Sequence, residues 1–314
     1  MPGFFPSSRV RVMSDAAVEI RWLLEEHLPQ LRAQVESALA DVLNLGEACP
    51  AVLRESMTYS VAAGGKRLRP ILVLLACEAC GGDESRALRA AAAIELVHTY
   101  SLIHDDLPAM DDDDLRRGQP TNHVKYGEAT AILAGDGLLT LAFEVLAGLQ
   151  VSSDIAVACC RELASAAGAA GMVGGQQADL EAEAGGITSV QQLESIHRRK
   201  TGRLISAALR MGGRIAGTSA DRLAALTRYG DDIGLAFQIA DDLLDLSSTP
   251  ETLGKGVQKD AGRNKLTYPG LLGVEESRRR AHDLSDAAVV ALQNVGIACR
   301  GLEALAKYVV LRDR

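Results

Sequence analysis

LAFQIADDLLD (235–245) carries an apolar helical run straight into three aspartates, and the fold is read from that junction. Apolar residues recur at three- and four-residue spacing through it, which is helical periodicity. Asp241 and Asp245 are four apart and share a helix face, with Asp242 about 100° round from Asp241. Like charges at that spacing destabilise an isolated helix. A DDxxD run alone also fits a solvated helix face, but Leu-Ala-Phe-Gln-Ile-Ala before it and Leu-Leu inside it argue for a purpose. A second cluster lies far upstream in HTYSLIHDDLPAMDDDD (98–114). Pro108 bulges or ends the helix near Leu107, which lets Asp105 and Asp111 converge although they are six apart. Asp112–Asp114 fit an ordinary acidic loop. Crowded carboxylates raise one another's pKa unless a cation lies between them. Mg²⁺ prefers oxygen donors and binds through one or two carboxylates plus substrate phosphates. Two such clusters facing each other would hold a diphosphate through several metal ions.

Outward from these clusters, helical periodicity dominates. The spacing predicts helices over about 16–43, 50–63, 68–80, 84–105, 110–116, 127–149, 153–170, 189–212, 219–245 and 276–312. Glycine- and proline-bearing turns separate them, and no alternating strand pattern persists. The chain has 314 residues, 47% hydrophobic and only 4% aromatic. That balance favours helices packed on helices. The expectation is an all-α fold: one large bundle of antiparallel helices over 16–314, with residues 1–15 a disordered extension and Met13 an alternative start. Net charge is −8, which excludes a nucleic-acid partner, because phosphate backbones call for a basic surface. The six cysteines sit in apolar stretches. Cys77 and Cys80 have CxxC spacing without a second pair or nearby histidine, so small apolar packing in a cytosolic protein is the expected role. There is no signal-peptide h-region and no uninterrupted apolar run of about 18 residues, so cytoplasm without stable membrane anchoring is expected.

Three further elements are ambiguous alone. Gly64-Gly65-Lys66-Arg67-Leu68-Arg69-Pro70 places glycines and cations at a helix start, which suits an anion or is an ordinary basic helix start. It lacks the GxxxxGK[ST] spacing of a phosphate-binding loop. Arg116-Arg117 follow the first cluster and suit a diphosphate through bidentate bonds. His98, the Lys200-Thr201-Gly202 segment and Gly174-Gly175-Gln176-Gln177-Ala-Asp179 read equally as structure or site. The segment 251–269, with Lys255, Lys259, Arg263 and Lys265 among glycines, is expected to be a basic loop following the second cluster.

Taken together, the residues resemble the trans-isoprenyl diphosphate synthases, specifically the bacterial-type farnesyl diphosphate synthases. Six blocks appear in order over nearly the whole chain: GGKRLRP (64–70), HTYSLIHDDLPAMDDDDLRRGQPTNH (98–123), GMVGGQQADL (171–180), KTGRLI (200–205), FQIADDLLD (237–245) and TLGKGVQKDAGRNKLTYP (252–269). The resemblance implies antiparallel helices around a deep central cavity, in a homodimer. It implies about three Mg²⁺ ions, two on Asp105 and Asp111 and one on Asp241, with Asp106 and Asp245 in support. By the same resemblance Arg116, Lys200, Thr201, Gln238, Lys255 and Lys265 hold an allylic diphosphate, and Gly65, Lys66, Arg69, His98 and Arg117 hold isopentenyl diphosphate. The basic loop becomes a closing lid.

Product length in such an enzyme depends on what blocks the apolar end of the cavity. Tyr100 and Ser101 lie five and four residues before Asp105, about a helical turn deeper. Tyr100, with the Pro108-Ala109 insertion, resembles the family's fifteen-carbon stop, so farnesyl diphosphate is expected. Geranylgeranyl and geranyl diphosphate synthases remain alternatives. A terpene cyclase should lack Lys66, Arg69 and His98. A non-catalytic partner subunit should have lost one aspartate cluster. A helical scaffold with acidic faces would release no diphosphate.

Overall fold

The computed structural model describes residues 15–185, 189–247 and 267–312. Helix α1 begins as Asp15–Trp22, widens into a π-helical turn at Leu23–His27 and continues as Leu28–Val42. It is followed by α2 (Ala51–Ala62), α3 (Leu68–Ala79) and α4 (Leu88–Asp105). A hairpin of β1 (Leu115–Arg116) and β2 (Gln119–Pro120) leads to α5 (Asn122–Tyr126), α6 (Glu128–Ala147), α7 (Ser153–Ala167) and α8 (Met172–Gly185). Next, α9 runs through Val190–His197, a π-helical turn at Arg198–Gly202 and Arg203–Ile215. The chain then forms α10 (Ala220–Ser247), α11 (Tyr268–Leu272), α12 (Val274–Gln293) and α13 (Arg300–Leu311).

Helix α4 buries Ala90–Ala93, Ile94, Leu96, Val97 and Tyr100 around its whole circumference, as an interior helix must. It packs against α1, α3, α6 and α9. Helix α9 packs against α3, α4 and α10, so it lies between the helices that carry the two aspartate clusters. Small residues permit its close crossings: a Cβ at Gly212 would lie 2.2 Å from the Val73 carbonyl oxygen, and one at Gly234 of α10 would lie 3.1 Å from the Gly202 Cα. Helix α10 packs along α12, and a smaller cluster of Leu193, Ile196, Leu235, Ile239, Tyr268 and Ala281 secures its aspartate-bearing half.

Helical periodicity anticipated most of these elements, and the departures have physical causes. The expected helix over 110–116 is instead a turn leading into the hairpin. Asp112 adopts φ +52°, and the turn residues Arg117 and Gly118 adopt φ +54° and +75°, positive at both central positions as a type I′ hairpin requires. The span 153–170 ends at Ala167, and α8 follows, hidden in the sequence by glycines that lower helix propensity. The span 276–312 is two helices, broken near Gly296 at φ +67°. Helix α6 reaches the length and mean hydropathy (1.6) of a bilayer-crossing helix, although Glu128, Asp136 and Glu144 interrupt its apolar run. One face of α6 is packed on α2 and α4. The six cysteines are free, and burial pushes the Cys77 thiol up to about 11. The expected extension up to Asp15 falls, except for Asp15 itself, outside the described residues, as does most of the basic loop.

Candidate active site

Helix α4 stops at Asp105, where Pro108 cannot supply the next helical N–H. The chain then doubles back. The backbone N–H of Asp111 donates to the Asp105 carbonyl at 2.8 Å, Asp112 N–H donates to Leu107 at 3.1 Å, and Asp113 N–H donates to Asp106 at 3.2 Å. This loop closes the six-residue gap that separates Asp105 from Asp111 in sequence. Burial pushes the Asp105 carboxyl up to about 6, opposed by the Lys200 ammonium and reinforced by Asp111. Asp106 is 2% exposed, and both of its oxygens accept from Arg116 Nε at 2.8 Å. Asp112 and Asp114 are exposed.

The hairpin separates the two adjacent arginines. Arg116 turns to Asp106, whereas Arg117 lies over Gly65, its guanidinium carbon 2.6 Å from where a Cβ would stand. Around His98 gather Arg69, Arg117, Arg116 and Arg67; burial first, and then these cations, hold its imidazole well below the usual range. Arg69 Nε is buried with no hydrogen-bond partner in the protein, and burial lowers its pKa. An unpaired donor inside a basic cluster suits an anion. Arg67 lies beneath this cluster and is itself buried. It sits at φ +49° and donates to Glu36, Glu95 and the Val61 carbonyl, which fixes the Gly64–Gly65 turn from below. Lys66 faces the second cluster. Its pKa is lowered by burial and by Arg312, against the opposing pull of Asp241.

On α10, Asp241 accepts from Arg312 at 2.6 Å, and Asp242 accepts from the backbone N–H of Tyr268 at 2.9 Å. Asp245 is exposed. The π turn of α9 brings in the remaining groups: Thr201 donates to Gln238 Oε1 at 2.6 Å, and Lys200 donates to Asp179 at 2.7 Å. A π turn inserts an extra residue per turn and often marks a functional segment. It fits here because position 175 is glycine; a Cβ there would lie 2.3 Å from the Lys200 nitrogen. Tyr100 is 6% exposed, and Ser101 donates to the His98 carbonyl at 2.8 Å.

The structure thus groups Asp105, Asp111 and Lys200 on one side, Asp241 and Lys66 on another, and Gly65, Arg69, His98 and Arg117 in a basic cluster. Lys255 and Lys265 lie outside the described residues. Arg312 on Asp241, the Tyr268 N–H on Asp242 and Lys200 on Asp179 have no motif in the sequence that marks them. Among the described residues no three His, Cys, Asp or Glu side chains converge to cage a metal by themselves. That donor set fits Mg²⁺, a hard cation that takes one or two carboxylates and completes its shell with water and phosphate oxygens. Repelling carboxylates beside a basic cluster can bind a metal-complexed diphosphate and stabilise charge as it departs.

The family model described as polyprenyl synthetase matches residues 50–294. The farnesyl diphosphate synthase of Escherichia coli (strain K12) is 50% identical over 83% of this chain and 89% of its own length. The geranylgeranyl diphosphate synthase of Cyanophora paradoxa is 46% identical over 84% of this chain and 89% of its own. Among solved structures, the geranyltransferase of Helicobacter pylori, complexed with magnesium and isoprenyl diphosphate, superposes with a TM-score of 0.77 at 34% identity, covering 90% of this chain and 95% of that one.

Proposed function

The chain belongs to the polyprenyl synthetase family, and on that premise we propose that it condenses isopentenyl diphosphate head-to-tail with dimethylallyl and geranyl diphosphates to give farnesyl diphosphate and diphosphate. The observation that carries this reading is the pairing of two carboxylate clusters with a basic cluster in which Arg117 lies over Gly65 and Arg69 Nε is unpartnered. A single-substrate cyclase would have no use for that second anion site.

Lys200, Thr201 and Gln238, joined by the 2.6 Å Thr201–Gln238 bond, hold the allylic diphosphate together with Arg116. Lys255 and Lys265 complete this set. Asp106 orients Arg116 through its two-oxygen contact. Gly65, Lys66, Arg69, His98 and Arg117 hold isopentenyl diphosphate, whose oxygens give Arg69 Nε its missing acceptor. When bound, Mg²⁺ on Asp105 and Asp111 (two ions) and Asp241 (a third), with Asp106 and Asp245 in support, neutralises the charge that builds on the leaving diphosphate. The allylic C–O bond breaks, the isopentenyl double bond forms the new C–C bond, and the departing diphosphate accepts the proton lost in restoring a double bond. The chain orients both substrates and excludes water from the cation. Tyr100, beside Ser101, forms the floor that stops growth at fifteen carbons.

The catalytic unit is the single domain 16–314, working as a homodimer. Ile132 and Leu133 of α6 and Val157 of α7 are 44%, 57% and 58% exposed. Val157 lines a groove of about 390 Å³ with Phe143, Ala147 and Ala156, and these exposed apolar side chains on α6 and α7 offer a surface suited to a second copy. The cytoplasm is its place, since both substrates are diphosphates that do not cross a bilayer unaided. Incubation with both five-carbon diphosphates and Mg²⁺, followed by product sizing, tests the activity; no Mg²⁺-dependent diphosphate release would sink it. A geranylgeranyl product would move the reading toward the Cyanophora relative, and light scattering decides the dimer.

A further inference from the structure

His104 stands one helical turn after Tyr100 on α4, and the chemistry above makes no use of it. Its ring meets Tyr100 edge-to-face, with centroids 5.7 Å apart and planes at 80°, an arrangement that ring quadrupoles favour. Its Nε2 lies 3.1 Å from the Ile132 carbonyl oxygen of α6 and 4.0 Å from Asp136 Oδ1. The ring fits only because position 135 is glycine: a Cβ there would lie 2.1 Å from His104 Nε2. The Nε2 edge of the imidazole thus lies against α6 at Ile132, Gly135 and Asp136, while the ring also meets Tyr100.

We infer that His104, seated in the Gly135 notch of α6, is a positioning residue that holds the Tyr100 ring in place and so sets the product chain length. The inference rests on Tyr100 being the floor. A growing prenyl chain gains by burying each added methylene, so it presses on whatever closes the cavity. An aromatic side chain hopping between rotamers would yield to that pressure. Tyr100 is gripped by its burial and by the edge contact with a ring that is itself tied to a neighbouring helix. Removing the imidazole leaves Tyr100 in the sequence but loosens it.

The test uses the full-length enzyme with both five-carbon diphosphates and reads the ratio of geranylgeranyl to farnesyl product. His104→Ala is expected to raise that ratio about tenfold, in line with the loss of an aromatic pair. The KM for isopentenyl diphosphate should stay within about twofold of wild type. General destabilisation would lower activity without changing the ratio. Should the alanine variant fail to fold, His104→Gln keeps an amide donor for the Ile132 carbonyl while deleting the ring, and the same rise is expected. Farnesyl diphosphate as sole product from these variants, while Tyr100→Ala lengthens the chain, would overturn the role of His104 and leave the floor standing. An unchanged product from Tyr100→Ala itself removes Tyr100 as the floor, and the inference goes with it.

Discussion

The backbone N–H of Asp111 donates to the carbonyl of Asp105 at 2.8 Å, so the first carboxylate cluster is held together by main-chain geometry before any cation arrives. The two side chains are thereby kept in repulsive proximity, and Asp105 is further penalised by burial.

Removing that penalty should stabilise the metal-free protein. The Asp105 pKa is raised in the fold, from 3.8 to about 6. Its contribution to stability is therefore intact below pH 3.8 and is lost as pH rises through about 6. At about 1.4 kcal/mol per pKa unit, metal-free Asp105→Asn should exceed wild type in urea unfolding at pH 8 by up to ~3 kcal/mol, and match it near pH 3.5. The same variant should lose catalysis, and wild-type Mg²⁺ affinity should weaken as pH falls below about 6, read by calorimetry.

His98 acts with the opposite sign. Its folded pKa lies well below the ordinary 6.5, so the stability tied to its neutral form is complete above pH 6.5 and drains away as pH drops. The unfolded chain takes up a proton that the fold refuses, a slope of up to about 1.4 kcal/mol per pH unit. His98→Gln should flatten the acid limb of the stability profile between pH 6.5 and 5; an unaltered limb would rule out a lowered imidazole pKa at this position.

Arg67 is a structural cation within the GGKRLRP segment. It is 2% exposed and joins Glu36, Glu95 and the Val61 carbonyl. Arg67→Met leaves the buried Glu95 without its partner, which costs about 3–5 kcal/mol in comparable settings. Denaturant midpoints should fall accordingly. Arg67→Lys should recover only part of the loss, because one ammonium cannot span three acceptors.

Gly65→Ala sets a methyl group against the Arg117 guanidinium and forces alanine to adopt φ +132°. The position is exposed, so folding should survive. The KM for isopentenyl diphosphate should rise at least about tenfold, a 1.4 kcal/mol effect, with the KM for the allylic substrate little changed. Equal losses for both substrates would separate Gly65 from the isopentenyl site.

Much of the fold, and the residues of the candidate site, were readable in the chain because they are written at short range. The 3.6-residue period placed α3, α4, α6 and α10 closely, and Pro108 after Asp105-Asp106 announced the bend that unites Asp105 with Asp111. Helix α8 was missed because Gly174 and Gly175 are poor helix formers. The small size of Gly175 becomes useful only once the π turn carrying Lys200 is pressed against it, and that of Gly174 where it meets the Ala169 carbonyl. The 110–116 segment misled for a related reason: four successive aspartates say nothing of the positive φ at Asp112.

From sequence alone came the helical class, the family, and the identities of the carboxylates and cations, since periodicity and motif spacing are local and survive without a partner. Tertiary structure alone decided how those groups are shared. Arg116 and Arg117 are indistinguishable neighbours until a two-residue turn sends one to Asp106 and the other over Gly65. Arg312 reaches Asp241 from 71 residues away, and His104 reaches Ile132 from 28. Pairs like these have no local signature, because which donor meets which acceptor is fixed only when separate helices pack closely enough to exclude every other arrangement.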